Sequence, residues 1–252
     1  MRGDVMEVKE LSSGFADSQT GSERRSRVVC IIPTLNEQPS IGSVISRAKK
    51  YVDEIIVVDG KSEDGTVAEA LKNGVSIMIQ RGFGKGAAIR QAFNVVDADF
   101  VIMMDGDGSM DPEEIPSFLE KLSSGADMVR GSRFLQGGGT SDLTLVRKFG
   151  NRVFLFLTNA LFSTRFTDLC YGFKAFKATA LHRLNVDLKA NGFEIETEIS
   201  IKAAKAKLDI QEVPSYEHKR KHGESHLNAV RDGWHILRVI IKEYVSALKG
   251  LV

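Results

Sequence analysis

Asp105-Gly106-Asp107 is the segment of this sequence richest in chemistry. Its two carboxylates stand two residues apart on a turn that directly follows the apolar run Phe100 to Met104. Such a pair can face one hard cation, because Mg²⁺ and Mn²⁺ take oxygen ligands and are commonly held by one or two carboxylates together with substrate phosphates. A cation there would neutralise charge on a leaving diphosphate. A turn that merely ends a strand has the same spelling, and the pair by itself leaves the two readings even. Asp111 is placed to cap the helix that opens at Pro112. Asp59 ends another apolar run, where it could accept a hydrogen bond from a base N–H or a ribose hydroxyl, or simply hold a turn. Arg81-Gly82-Phe83-Gly84-Lys85-Gly86 precedes a helical pattern, which offers backbone N–H groups and Lys85 to a phosphate. It lacks the Gly-Lys-Ser/Thr ending of a P-loop and follows the third strand, and a plain glycine turn fits it equally.

These residues need a frame, and the sequence supplies a regular one from Val28 onward. Val28 to Ile32, Glu54 to Asp59, Val75 to Gln80, Phe100 to Asp105 and Asp127 to Arg130 read as short strands. Between the first two, Ile41, Val44, Ile45 and Ala48 make an i, i+3, i+4, i+7 stripe, with Pro39 suited to the first turn of that helix. Val67, Ala70 and Leu71 mark a second helix that stops at Asn73-Gly74. Ala88, Ile89, Ala92, Phe93 and Val96 mark a third. Ile115, Phe118, Leu119 and Leu122 mark a fourth, with Pro112 in its first turn. Strand–helix alternation at this spacing predicts an α/β fold, a mostly parallel sheet covered on both faces, with ligands beyond the carboxyl ends of its strands. After Gly131 the regularity breaks. Gln136 to Thr140 reads as mobile, Leu143 to Phe162 as an apolar helix, Cys170 to Lys177 as a strand, Phe193 to Lys207 as a helix and Leu208 to Val213 as a strand. A polar loop to about His226 and a last helix follow. Residues 1–26 read as a disordered tail and 27–250 as one domain, divided into a nucleotide-binding half (27–130) and an acceptor half (131–250).

Composition sets outer bounds. The 252 residues suffice for one large α/β domain, and 42% hydrophobic with 27% charged residues is ordinary for a globular protein. A net charge of +1 gives no global field for nucleic acid. Cys30 and Cys170 lie in apolar surroundings, which suggests a reducing compartment. The N-terminus lacks a signal-type apolar core, and no run approaches a membrane span. The expected location is cytoplasmic, soluble or peripheral at a membrane surface.

Ile31-Ile32-Pro33-Thr34-Leu35-Asn36-Glu37, Val57-Val58-Asp59-Gly60-Lys61-Ser62-Glu63-Asp64-Gly65-Thr66, Gly84-Lys85-Gly86-Ala87, Asp105-Gly106-Asp107 and Gly131-Ser132-Arg133 fall in the order and rough spacing of family 2 glycosyltransferases. Asp168-Leu169-Cys170-Tyr171-Gly172-Phe173, Gly192-Phe193-Glu194 and His222-Gly223-Glu224-Ser225 add to the likeness. Together the pieces resemble the branch of dolichol-phosphate mannose synthases and polyprenyl-phosphate hexose synthases, over about Val28 to Leu227. The resemblance implies a GT-A fold, inversion at the anomeric carbon, and Mg²⁺ or Mn²⁺ at Asp105 and Asp107. It implies a UDP- or GDP-sugar donor held by Pro33, Leu35, Glu37, Asp59, Lys85, Asp105 and Gly106. It further implies an acceptor phosphate on Arg133, Arg147 and Arg220. Gly60-Lys61 stands where the family more often has an acid and a small residue, which leaves the base open. Ser109 stands where this branch often has Gln before His-Pro-Pro.

The acceptor decides which residues do catalysis. A hydroxyl needs a general base, whereas a phosphate monoester is already ionised near pH 7 and needs cations. Arg133, Arg147, Lys148, Arg152, Lys219, Arg220, Lys221 and His222 are the downstream basic candidates, about half of them ordinary surface charges. Glu194 and Glu198 share a helix face as an i, i+4 pair, and Glu194 is the better candidate base; a first-turn glutamate favoured by the helix dipole is the bland alternative. Asp107, Glu194 and Arg133 are thus the expected catalytic residues. The leading expectation is a hexose transferred to a polyprenyl phosphate, and the runner-up a glycan or small-molecule hydroxyl as acceptor. A sugar nucleotidyltransferase would carry a basic glycine-rich loop after the first strand, which Pro33 to Glu37 is not, and the intact acid pair argues against a non-catalytic binding module. In the last helix Trp234, Leu237, Ile241, Val245 and Leu248 lie on one side and Arg231, Arg238, Lys242 and Lys249 on another. That pattern suits an anionic membrane and equally suits docking on the chain's own domain or on a partner, the preferred reading.

Overall fold

A computed structural model describes residues 25–185, 188–220 and 228–249. The expected tail up to residue 24, Lys221 and the His222 to Ser225 segment lie outside the described residues. In chain order the elements are β1 (Val28–Thr34), α1 (Gln38–Ala48), β2 (Glu54–Asp59), α2 (Thr66–Lys72), β3 (Ser76–Ile79), α3 (Lys85–Phe93), β4 (Phe100–Met103), α4 (Ile115–Ser123) and β5 (Met128–Ser132). They continue with β6 (Gly139–Thr140), α5 (Leu145–Phe162), β7 (Lys174–Lys177), α6 (Ala178–Asn185), α7 (Ile195–Lys205), β8 (Ile210–Pro214), β9 (Tyr216–Glu217) and α8 (Ala229–Lys249).

The main sheet has the order β3-β2-β1-β4-β7-β5-β8. Every pairing in it is parallel except those of β7, which runs antiparallel to β4 and β5. β1 shows why the strand sequences read as unbroken apolar runs. Val28, Cys30 and Ile32 pack into the core under α1 and α4, with Ile41, Ile45 and Phe118. Val29 and Ile31 point the other way, into the core under α3 and α7, with Ile89, Phe93 and Ile199. A sheet covered on both faces needs apolar side chains at odd and even positions alike. A third cluster, Phe166, Leu169, Ile201, Ile236 and Ile240, ties α7 to α5 and α8.

The departures from expectation fall where partners are distant in sequence. Gly139 and Thr140, expected to be mobile, pair in parallel with Tyr216 and Glu217. Only Lys174 to Lys177 of the expected Cys170–Lys177 strand joins the sheet, wedged between the two halves, and α6 follows it unannounced. β4 ends at Met103, so the acid pair sits on a loop rather than at a strand end. Pro112–Glu114 forms a separate 3-10 turn before α4, capped by Asp111 as expected through its side chain and Glu113 N (3.1 Å). Met103, Met104 and Cys30 are buried, and both cysteines are free thiols. α8 buries Asp232, Ile236, Ile240 and Glu243, not the Trp234 side. Among the described residues no helix is long and apolar enough to cross a membrane.

Candidate active site

The loop after β4 carries Asp105 and Asp107 into a cleft between the sheet and helices α5 and α8. Two cations bracket the pair. Lys85, at the start of α3, sits 2.6 Å from Asp105 Oδ1 and also pairs with Glu196 of α7. Arg220 donates to Asp107 Oδ2 at 2.6 Å and lies 3.4 Å from Glu37 Oε1. Ser109 fixes the other oxygen, donating to Asp107 Oδ1 from its backbone N at 2.9 Å and from its hydroxyl at 2.7 Å. The carboxylates crowd one another. Burial, opposed by Lys85 and reinforced by Asp107 and Glu196, pushes Asp105 up to about 6. Burial, opposed by Arg220 and reinforced by Asp107 and Asp105, pushes Glu37 up to about 7. Glu196 goes the other way: burial would raise it, but Lys85 and Lys174 hold it below the usual carboxylate range. Two carboxylates in a locally acidic site are a donor set that would fit Mg²⁺ or Mn²⁺, which takes oxygen ligands and leaves positions for phosphate and water.

Packing accounts for the glycines of the Gly-Lys-Gly segment. A side chain on Gly84 would stand 2.3 Å from the Asn191 carbonyl, and one on Gly86 would stand 2.3 Å from that of Ala190. The backbone N–H of Gly86 donates to the Asn191 carbonyl at 2.7 Å. These glycines therefore seat α3 against the loop before α7, and Gly86 N is committed there; what the segment delivers to the cleft is the Lys85 ammonium. Gly172 plays a matching part, because a Cβ there would lie 2.7 Å from Glu196 Oε1 and 2.9 Å from Lys85 Nζ.

The cleft collects Lys85, Asp105, Asp107, Arg133, Arg147 and Arg220 of the expected residues. Arg133 is already engaged. Asp168, fully buried, accepts from its Nε at 2.6 Å and its Nη2 at 2.9 Å, while Glu217 accepts from Nη1 at 3.0 Å. Three of its five N–H donors are thus used within the protein. Gly106 links the two acids, and its carbonyl accepts from Ser40 Oγ at 2.8 Å. Pro33 and Leu35 lie at the end of β1, Leu35 being 40% exposed beside Gly60. Neither they nor Glu37 line the cleft, although Glu37 reaches its Arg220. Asp59 is buried, and its carboxylate accepts from Ser62 N (2.9 Å), Ser62 Oγ (2.6 Å) and Thr34 Oγ1 (3.4 Å). These are the bonds expected of the turn-holding reading of Asp59.

Glu194 is not brought to the cleft. It precedes α7, accepts from Gly192 N at 3.2 Å and faces a separate depression with His235 and Arg238. Glu198 accepts from Lys189 N (2.9 Å) and Ala190 N (2.7 Å), so it anchors the same loop that seats α3. Glu196 is the carboxylate of this helix that lines the cleft. Residues two apart on a helix point about 200° from each other, so the i, i+4 pair and Glu196 face opposite ways. Asp168 and Glu217 were also missed as partners of Arg133, and Lys174, fully buried, donates to the Tyr171 carbonyl.

Residues 29–184 match the family described as glycosyl transferase family 2. The chain is 35% identical over 214 residues to "Glycosyltransferase AglJ" of Haloferax volcanii, spanning 81% of this chain and 68% of that protein. It is 32% identical to that organism's "Low-salt glycan biosynthesis hexosyltransferase Agl6", where the match spans 84% of this chain but 52% of the relative. A "Dolichyl-phosphate hexose transferase" of the same organism is 29% identical over 84% of this chain and 91% of its own. Among solved structures, glucosyl-3-phosphoglycerate synthase of Mycobacterium tuberculosis, in complex with Mn²⁺, UDP and phosphoglyceric acid, superposes with a TM-score of 0.71 at 20% identity, covering 87% of this chain and 79% of that one. The fold is thus the GT-A arrangement in a single domain.

Proposed function

The chain belongs to the family 2 glycosyltransferases, and on that footing we propose that it is an inverting, metal-dependent hexosyltransferase that moves a sugar from a UDP- or GDP-sugar to a polyprenyl-type lipid phosphate. One observation carries this reading: the acid pair, the three arginines and the apolar side chains of Val146, Phe149, Phe154 and Ile236 share one cleft. An acceptor with an anionic head and a hydrocarbon tail matches both parts of that lining. The relative named for dolichyl phosphate supports the same class of acceptor.

Asp105 and Asp107 would hold Mg²⁺ or Mn²⁺, whose charge would stabilise the departing diphosphate. Lys85 adds a fixed positive charge beside Asp105 and serves the same leaving group. Pro33, Leu35 and Glu37 carry the nucleotide along the ends of β1 and β2, and Asp59 acts through the loop it holds. The acceptor phosphate oxygen attacks the anomeric carbon opposite the diphosphate, so the new C–O bond forms as the old one breaks and the configuration inverts. No proton has to leave the nucleophile, and the site suits that economy. Glu194 faces elsewhere, and Glu196 is held ionised by Lys85 and Lys174, which leaves it a weak base. Arg147 and Arg220 are the phosphate-binding arginines, with Arg133 a braced wall of the same cleft.

The test is a mass-spectrometric screen of nucleotide sugars against a polyprenyl phosphate and the matching polyprenol. Parent and Asp107→Ala proteins are compared with Mn²⁺ and with EDTA. Transfer is expected to the phosphate alone, with Mn²⁺ alone, and from the parent alone. Comparable transfer to the alcohol overturns the acceptor, and near-normal turnover by Asp107→Ala at saturating Mn²⁺ overturns the metal assignment.

A further inference from the structure

We propose that α5 and α8 together form a docking surface for an anionic lipid bilayer, a proposal that rests on the lipid-phosphate reading for the identity of the acceptor but not for the binding itself. Both helices are apolar on two sides. α5 turns Asn151 and Thr158 inward, yet Leu145 (85% exposed), Phe149 (71%) and Phe156 (71%) stand in solvent on its outer face, joined by Val146 and Val153. α8 turns Ile236 and Ile240 inward, yet Val230, Trp234 (59% exposed), Ile241, Val245 and Leu248 line its outer face. The spacings i, i+4 and i+11 keep each outer set on one stripe of its helix. The helices touch, since Phe154 lies 3.5 Å from the point where a Gly233 side chain would begin and Phe162 meets Tyr244 edge to face. Large side chains exposed in series on two neighbouring helices mark an interaction surface rather than scattered surface residues.

Charge selects the partner. α5 contains no acid, only Arg147, Lys148 and Arg152. The two acids of α8 are withdrawn from solvent: Asp232 pairs with Arg231 at 3.1 Å and Glu243 with Lys205 at 2.7 Å, each carboxyl-bearing residue being only 6% exposed. Arg231, Arg238, Lys242 and Lys249 all remain exposed. Among the described residues of these two helices the exposed charges are therefore all positive, although the chain as a whole carries only +1. A second copy would set like charges against each other across a twofold contact. An anionic headgroup layer over hydrocarbon satisfies both the basic and the apolar stripes, the arrangement of a helix lying in a membrane interface. The surface also runs into the site, because Val146 and Phe149 belong both to the outer face of α5 and to the cleft wall. A lipid phosphate could then slide from the bilayer to Asp105 and Asp107 without its tail crossing water.

The experiment is co-sedimentation of the full chain with phosphatidylcholine vesicles with and without phosphatidylglycerol. Two variants avoid the cleft: Phe156→Glu/Trp234→Glu for the apolar stripes and Arg238→Glu/Lys242→Glu for the charge. Both must melt with the parent and bind UDP with Mn²⁺ as the parent does. The parent should pellet with phosphatidylglycerol vesicles. Each basic side chain near such a surface contributes about fivefold, so the charge variant should bind at least about 25-fold more weakly, and the apolar variant should stay in the supernatant. Transfer to a short, water-soluble prenyl phosphate should be unchanged in both variants, while transfer to a long-chain acceptor embedded in vesicles falls. Equal sedimentation of parent and variants overturns the proposal, as do equal rates on the embedded acceptor. A dimer in sedimentation velocity that the Phe156→Glu/Trp234→Glu variant dissolves overturns it in favour of a second copy. If the vesicles bind and neither phosphate acceptor is glycosylated, the acceptor reading fails and the membrane surface stands.

Discussion

Replacing Asp168 with Asn tests how the acceptor end of the cleft is built. Asp168 is fully buried and accepts four hydrogen bonds: from Arg133 Nε (2.6 Å), Arg133 Nη2 (2.9 Å), Arg133 N (3.3 Å) and Asn151 Nδ2 (3.1 Å). The arginine side chain it holds is only 3% exposed. Asn keeps the shape but removes the charge, and its amide NH₂ must point at a donor already in place. Arg133 is left with Glu217 alone. Breaking a buried ion pair by removing one partner costs about 3–5 kcal/mol. For a chain of this size each kcal/mol moves Tm by about 2–4 °C, so a fall of roughly 6–20 °C is expected. The double variant Asp168→Asn/Arg133→Met, which removes the orphaned guanidinium and leaves the less buried Glu217 with Thr140 Oγ1, should recover part of that loss. Acid behaviour gives a second readout. Burial raises the Asp168 carboxyl, but Arg133 more than reverses this and holds it below the usual range. A depressed folded pKa contributes stability that is present above the unfolded value of about 3.9 and lost as pH falls through the folded value. The parent should therefore lose more stability than Asp168→Asn on acidification below about pH 4. Thermal and urea melts across pH would measure both effects. A Tm within about 2 °C of the parent, or identical acid sensitivity, would refute the idea of a braced arginine. The same data bear on catalysis: if Arg133→Ala melts like the parent yet loses acceptor-dependent rate, Arg133 is a phosphate ligand and not a wall.

UDP or GDP should raise Tm with Mn²⁺ present and not with EDTA, by the equivalent of about 2.7 kcal/mol at a hundred times Kd; equal shifts in both would count against a metal-bridged diphosphate. Glu196→Gln, which removes one partner of Lys85, should lower turnover by about 10- to 100-fold, the worth of a charged hydrogen bond. Glu194→Gln should leave turnover near the parent's, and the reverse ranking in steady-state kinetics would restore the hydroxyl acceptor. Mn²⁺ binding measured by calorimetry should weaken below pH 6, because Asp105 titrates at about 6 and the proton competes with the cation. One unit below that value the loss should be about tenfold, and a flat profile between neutral and acidic pH would show that Asp105 is not a ligand.

The strands and helices up to residue 130 were legible because their patterns are local. A parallel strand covered on both faces must be apolar at every position, as β1 and β2 are, and α1 must repeat its apolar residues every third or fourth place, as Ile41, Val44, Ile45 and Ala48 do. The acid pair was legible for a similar reason, since two carboxylates on one short turn need no distant partner to be noticed. What depends on distant partners was hidden. The spacing around Lys85 could not show that Gly84 and Gly86 are small because the backbone at Ala190 and Asn191 passes over them. Asp59 could be read as a ligand or as the holder of a turn, and its hydrogen bonds from Ser62 and Thr34 were not visible in the sequence. Arg133 carried a clear charge, yet the sequence had no way to display Asp168 and Glu217 waiting for it. The choice between Glu194 and Glu196 turned on which face of α7 meets the cleft, and that face is fixed by packing of Ile195 and Ile199 against the sheet. α8 gave the sharpest case. Its sequence carries two apolar stripes, and only the tertiary structure decided that Ile236 and Ile240 go inward while Trp234 and Ile241 remain outside, because one side of a helix can be buried by the domain and the other is left to whatever it meets.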